Sequence, residues 1–149
     1  MARHILVPLD GSAASWNALE FAIDHHPEAT ITAVHVVSVV SETEATPVGM
    51  APVHVEEVYE AAEEHAASLL SDAEELAAER GTDVETEHVR GRPTDAILDY
   101  VEAEDVDQII MGSHGHSGLK RVVIGSVAER VTRHAPVPVT IVRADAETE

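Results

Sequence analysis

The stretch MGSHGHSGLKRVVIGSVAER, Met111 to Arg130, places Gly112, Gly115, Gly118 and Gly125 within fourteen positions. Just before it, Gln108 to Met111 is a short apolar run suited to a buried strand. Just after it, Val127 to His134 has helical character. A strand that passes through glycines into a helix brings bare backbone close to a bound group. The helix start then offers free N–H groups and a positive dipole end to an anion. Gly125-Ser126 therefore reads as a phosphate cradle, with the Ser126 hydroxyl placed both to bond a phosphate and to cap the helix. On the residues alone, glycines that only make turns stay an open alternative. The stretch fits neither G-x-x-x-x-G-K-[ST] nor G-x-G-x-x-G. A GxxG pair also occurs in KH domains, but the acidity of the chain argues against RNA.

Working outward, strands and helices alternate. HILVPLD, His4 to Asp10, is an apolar strand ending in an acid, followed by Gly11 and by Ser12, a suitable helix N-cap. Ala14, Ala18, Leu19, Ala22 and Ile23 then recur at helical spacing until Pro27. Ile31 to Val40 is a second strand, rich in β-branched residues. A loop with Pro47, Gly49 and Pro52 follows. From about Val55 to Arg80, an Ala/Glu-rich helix carries Val58, Ala62, His65, Ala66, Leu69, Leu70, Ala73, Leu76 and Ala77 on one stripe, and Gly81 stops it. Asp83 to Val89 is polar enough for an edge strand. Thr94 is expected to cap a helix carrying Ala96, Ile97, Tyr100 and Val101, and Val137 to Val142 is the last strand.

Five strands, most of them near-continuous apolar runs, alternating with four helices predict an α/β fold. It is an open five-stranded parallel sheet, doubly wound and Rossmann-like, with helices on both faces, as one domain over residues 1–149. Ligands of such sheets bind beyond the carboxyl ends of the strands, where the strand order reverses. If the first and fourth strands are neighbours, Asp10 and the Gly112–Gly115 turn face one crevice. Asp10 is then an acceptor for a ligand.

Composition narrows the function classes. The chain has 149 residues, 44% of them hydrophobic, which suits a packed core. Its aromatics are only Trp16, Phe21, Tyr59 and Tyr100, so Val, Ile, Leu and Ala must build that core. No cysteine is present, which excludes disulfides and thiolate metal sites. No signal-peptide-like segment or membrane-length apolar run is visible, so a cytoplasmic location and no membrane partner are expected. The net charge of -19 repels phosphate backbones at long range and excludes a general nucleic-acid binder. With Lys120 as the only lysine, this acidity looks like adaptation to a salt-rich cytoplasm, and hence like a halophilic, haloarchaeal protein. Acidic residues crowd Glu56 to Glu87, whereas Lys120 to Arg143 carries five basic residues and one acid, Glu129. An anion is least repelled beside the glycines.

Gly112-Ser113-His114-Gly115, nine residues, then Gly125-Ser126 resembles the G-2x-G-9x-G-[ST] signature of the universal stress protein family. ILVPLDGS, His35 to Val37 and APVPVTIVR resemble that family's first, second and last strands, so the resemblance spans nearly the whole chain. Intact signature glycines imply the branch that binds ATP, with Mg²⁺ or Mn²⁺ carried by the phosphates. The resemblance further implies that Asp10 holds the ribose or adenine region and that the Val36 backbone contacts adenine. It places Gly112 and Gly115 beside the ribose and phosphates, and gives the phosphates to Gly125, Ser126 and Val127. A homodimer paired through Val137 to Val142 is implied as well. The functional expectation is a nucleotide-dependent regulator of a stress response. Slow ATP hydrolysis and a dimeric scaffold that does not use the nucleotide are the alternatives.

The remaining candidates are weaker. His114 and His116 suggest a metal, but two loop histidines lack a third ligand nearby in sequence. Lys120 and Arg121 either neutralise phosphate or are simply solvated. Ser12, without a base in reach, reads as a cap rather than a nucleophile. His25, His26, His54, His65 and His88 form no pattern in the sequence.

Overall fold

The computed structural model describes residues 3–38, 55–113 and 124–144. The expected loop with Pro47, Gly49 and Pro52 lies outside these residues. So does the segment holding His114, Gly115, His116, Gly118, Lys120 and Arg121. The elements alternate as expected: β1 (His4–Pro8), α1 (Ala13–His25), β2 (Thr30–Val37), α2 (Val55–Glu79), β3 (Glu85–Arg90), α3 (Pro93–Ala103), β4 (Gln108–Gly112), α4 (Ser126–His134) and β5 (Val139–Val142). β2 and β3 run Thr30–Val37 and Glu85–Arg90 rather than the expected Ile31–Val40 and Asp83–Val89, and β1 and β5 are shorter than the sequence suggested because proline has no N–H for the ladder. Pro8 closes β1, and Pro138 only accepts, from Ile109 N at 2.9 Å, before β5 begins.

All pairings are parallel, in the order β3-β2-β1-β4-β5. β1 pairs with β2 on one side and β4 on the other, so the order reverses between β1 and β4. That is the juxtaposition on which the expected crevice depends. β3 is an edge strand, as its polarity predicted.

Each face of the sheet has its own core. α1 and α2 cover one face, where Ile5, Val7, Leu19, Ile31, Leu70 and Ile110 pack together. α3 and α4 cover the other, around Leu6, Val34, Ile97, Ile109 and Val131. Aliphatic side chains carry both cores, each contributing about 1.5–3 kcal/mol on full burial. Along α2, Ala66, Leu69, Leu70, Ala73 and Ala77 are buried as the stripe predicts. Val58 instead stays 45% exposed, and His65 is exposed too. Gly81, at φ +80°, stops this helix in the left-handed region that glycine tolerates.

One helix start departs from expectation. Thr94 does not cap α3; Arg92 is the N-cap and Pro93 the first helical residue. Proline's fixed φ suits that first position, which draws the helix start ahead of Thr94. The Thr94 hydroxyl is buried without a hydrogen-bond partner among the described residues.

β4 meets α1 at Gly112. A Cβ there would lie 2.8 Å from both the carbonyl carbon and the Cβ of Ala14, and 2.9 Å from Ser15 N. Two of those atoms are helix backbone, which cannot swing aside. Gly112→Ala should cost about 1–3 kcal/mol through overpacking. Urea unfolding should show a lower midpoint with an unchanged slope.

Candidate functional site

The carboxyl end of β1 turns sharply into α1. Gly11, at φ +89°, makes that turn in a region a side chain would strain. Asp10 Oδ1 accepts from Ser12 N at 2.9 Å, so the carboxylate is fixed against its own turn. Ser12 then caps α1, its hydroxyl accepting from Ser15 N at 3.2 Å. Ser15 Oγ donates back to the Ser12 carbonyl at 2.8 Å. No acidic residue occupies the first turn of α1. A helix start so built favours an anion nearby.

The start of α4 is positioned through the end of β4. Ser113 N donates to Val142 O at 2.8 Å, which carries the β4–β5 pairing one residue on. Gly125 N donates to Ser113 O at 2.6 Å, which pins the backbone ahead of α4. Gly125 is thereby the N-cap, in extended conformation, and Ser126 is the first helical residue. Ser126 is therefore not the cap that the sequence suggested. The cap residue, having no side chain, leaves the first amides of α4 without a side-chain acceptor from that position. Neither Gly112 nor Gly125 has a positive φ. Their lack of a side chain matters for space, not for torsional freedom.

A crevice of about 230 Å³ opens where these pieces meet. Asp10, Val36, Gly112, Gly125, Ser126 and Val127 all line it. The structure thus brings together six of the seven expected site residues; the seventh, Gly115, lies outside the described residues. Val34, Ile97, Met111 and Ala128 supply apolar lining. The starts of three helices reach the crevice: Ser12 of α1, Pro93 of α3 and Ser126 of α4. The contribution of α3 escaped sequence reading. Its signal was Gly91-Arg92-Pro93 directly after a strand, a turn that leads a helix start back to the sheet edge. Glu129, in the first turn of α4, is drawn to Arg133 at 2.8 Å. The crevice can hold a flat apolar group against its aliphatic wall and an anion at its helix starts.

The universal stress protein family model matches residues 1–143. The chain belongs to the universal stress protein family. Universal stress protein YxiE of Bacillus subtilis is 34% identical over 148 residues, covering 96% of this chain and all of that protein (100%). The structure of universal stress protein UspA from Lactobacillus plantarum superposes with a TM-score of 0.80 at 29% identity, covering 95% of this chain and 97% of that one. A universal stress protein solved in complex with cAMP superposes at 0.68 with 26% identity, over 96% and 98% of the two chains. Universal stress protein MJ0531 of Methanocaldococcus jannaschii is 35% identical over 144 residues, covering 95% of this chain and 82% of that protein; relatives are thus both bacterial and archaeal and lend no support to a haloarchaeal source in particular.

In this universal stress protein the Ser12 cap holds both the α1 start and one wall of the crevice. Ser12→Ala should lower stability by about 1 kcal/mol through loss of the cap, read as a reduced Tm by calorimetry.

Proposed function

We propose that this chain binds ATP in the crevice between β1 and β4 and acts as a nucleotide-dependent regulator in a stress response. The observation that carries this reading is the convergence of Asp10, Val36, Gly112, Gly125, Ser126 and Val127 on one crevice. Adenine would lie against the apolar wall beside Val36, with Asp10 accepting from the ribose or adenine region. Gly112 and Gly115 would border the ribose and phosphates. The phosphates would rest on the amides of Gly125, Ser126 and Val127, where a helix start favours negative charge. The cyclic nucleotide bound by a structural relative supports an adenine-nucleotide ligand. Mg²⁺ or Mn²⁺ would arrive on the phosphates, since hard cations take phosphate oxygens readily. β5 lies at the sheet edge and would pair with its counterpart in a homodimer, in the cytoplasm.

Gly125→Val and Gly115→Val should each weaken ATP binding at least about tenfold, which is about 1.4 kcal/mol. Asp10→Ala should weaken it as well and blunt discrimination among nucleotides. Titration calorimetry with folded variants checks this; unchanged affinity in both glycine variants would overturn the reading.

Salt adaptation belongs to the same proposal. The net charge of -19 leaves far more carboxylates than its arginines can pair. The ion pairs of Arg80 with Asp24 and Glu20, and of Arg90 with Glu63, are all partly exposed. Each such pair contributes at most about 1 kcal/mol. Screening of the remaining repulsion should therefore raise the Tm steeply between about 0.1 and about 3 M KCl. A flat or falling Tm in that series means the acidity serves another purpose.

A further inference from the structure

Asn17 is a poor residue for the body of a helix, because its carboxamide competes for nearby backbone groups. It nonetheless stands in the second turn of α1, half-buried between Trp16 and Ala18. Its side chain reaches across to the end of β5. Nδ2 donates to the carbonyl oxygen of Arg143 at 3.1 Å and to that of Ala144 at 2.7 Å. Both partners can only accept, so the amino end of the carboxamide must face them, and its two hydrogens match the two carbonyls.

The position of these bonds gives them a wider effect. β5 is four residues long, lies at the edge of the sheet and has β4 as its one neighbour among the described residues. Its ladder ends with Val142 opposite Gly112. Just beyond, Val142 O accepts from Ser113 N at 2.8 Å, and Ser113 O accepts from Gly125 N at 2.6 Å. Gly125 is the N-cap of α4. Asn17 takes hold of the two residues that follow Val142, where a short edge strand is most prone to fray. It thereby steadies the carbonyl to which Ser113 is tied. The first turn of α1 packs against Gly112 through Ala14, so consecutive turns of one helix hold the ends of both β4 and β5. A continuous series of backbone and hydrogen bonds runs from Asn17, through those strand ends, to the start of α4.

We propose that Asn17 is a positioning residue for the phosphate end of the crevice. It does not line the crevice itself. It acts through Arg143, Ala144, Val142 and Ser113 to keep the first amides of α4 in the geometry that receives an anion. Amides already fixed in the bound geometry lose less freedom on binding and so give higher affinity. The inference rests on the nucleotide reading above, and it divides that ligand in two. The adenosine part would meet Asp10 and the aliphatic wall beside Val36, which belong to β1 and β2. The phosphates alone would meet the α4 start, so they alone depend on Asn17.

Calorimetric titration of ATP and of adenosine into Asn17→Leu and Asn17→Ala tests this. Both replacements are better helix formers than Asn, so α1 is not weakened by them. Both are neutral, so the charge that ATP meets does not change, and Leu also keeps the side-chain volume nearly constant. Each variant should bind ATP at least about fivefold more weakly, with adenosine affinity within about twofold of wild type. In nucleotide-free protein, solvent exchange of the Gly125 amide, read by NMR, should speed up at least about fivefold, while the amides of β1 keep their protection. Equal weakening of ATP and adenosine would mean a general loosening and overturn the inference. A Gly125 amide that exchanges as in the wild type would overturn it too. A wild type that binds no ATP would instead refute the proposed function, and the Gly125 measurement, which uses no nucleotide, would still decide whether Asn17 holds the α4 start.

Discussion

The contact between the end of β4 and the first turn of α1 constrains the rest. At Gly112 the sheet and helix backbones are so close that no Cβ fits between them. That closeness places the β1–α1 turn, with Asp10 and Ser12, directly against the β4 end. From there the bond of Ser113 O with Gly125 N carries the same geometry to α4. The crevice is thus the outcome of backbone packing before it is a set of side chains. A glycine that looks like a ligand contact in the sequence is first a packing requirement.

Much of this was legible in the sequence because the signals were local and strong. Continuous aliphatic runs such as Ile5–Val7 and Ile109–Met111, bounded by turn residues, suit strands buried on both faces. Gly81 and Ser12 mark helix ends through backbone chemistry that acts over three or four residues. Strand neighbours were legible only by rule, since the pairing of β1 with β4 joins residues about a hundred positions apart. Errors fell where two local preferences compete. Pro93 and Thr94 both suit a helix start, and proline's fixed φ prevailed; Gly125 took the cap from Ser126 because a long-range bond to Ser113 held it extended. The α3 wall of the crevice depends on tertiary placement, which no single-sequence period encodes.

Electrostatics divides the molecule. The outer face of α2 is dense in Glu, whereas three helix starts face the crevice and offer oriented amides. An anion would be held there by dipoles fixed in the fold, which need no basic side chain to be ordered. Such a site tolerates a strongly acidic exterior better than a lysine-lined one, because high ionic strength screens exposed charges most and short amide contacts least.

The central pairing of β1 with β4 also has a meaning in time. β1 is made first, yet one of its two neighbours comes from a segment roughly a hundred residues later. At synthesis rates of about 5–20 residues per second, that separation is about 5–20 s. During that interval β1 can pair only with β2, and its other edge waits. The crevice, which needs the ends of both β1 and β4, cannot exist until nearly the whole chain has emerged. A molecule able to close it has therefore completed the sheet, so occupancy of the crevice reports that biosynthesis of the domain is finished.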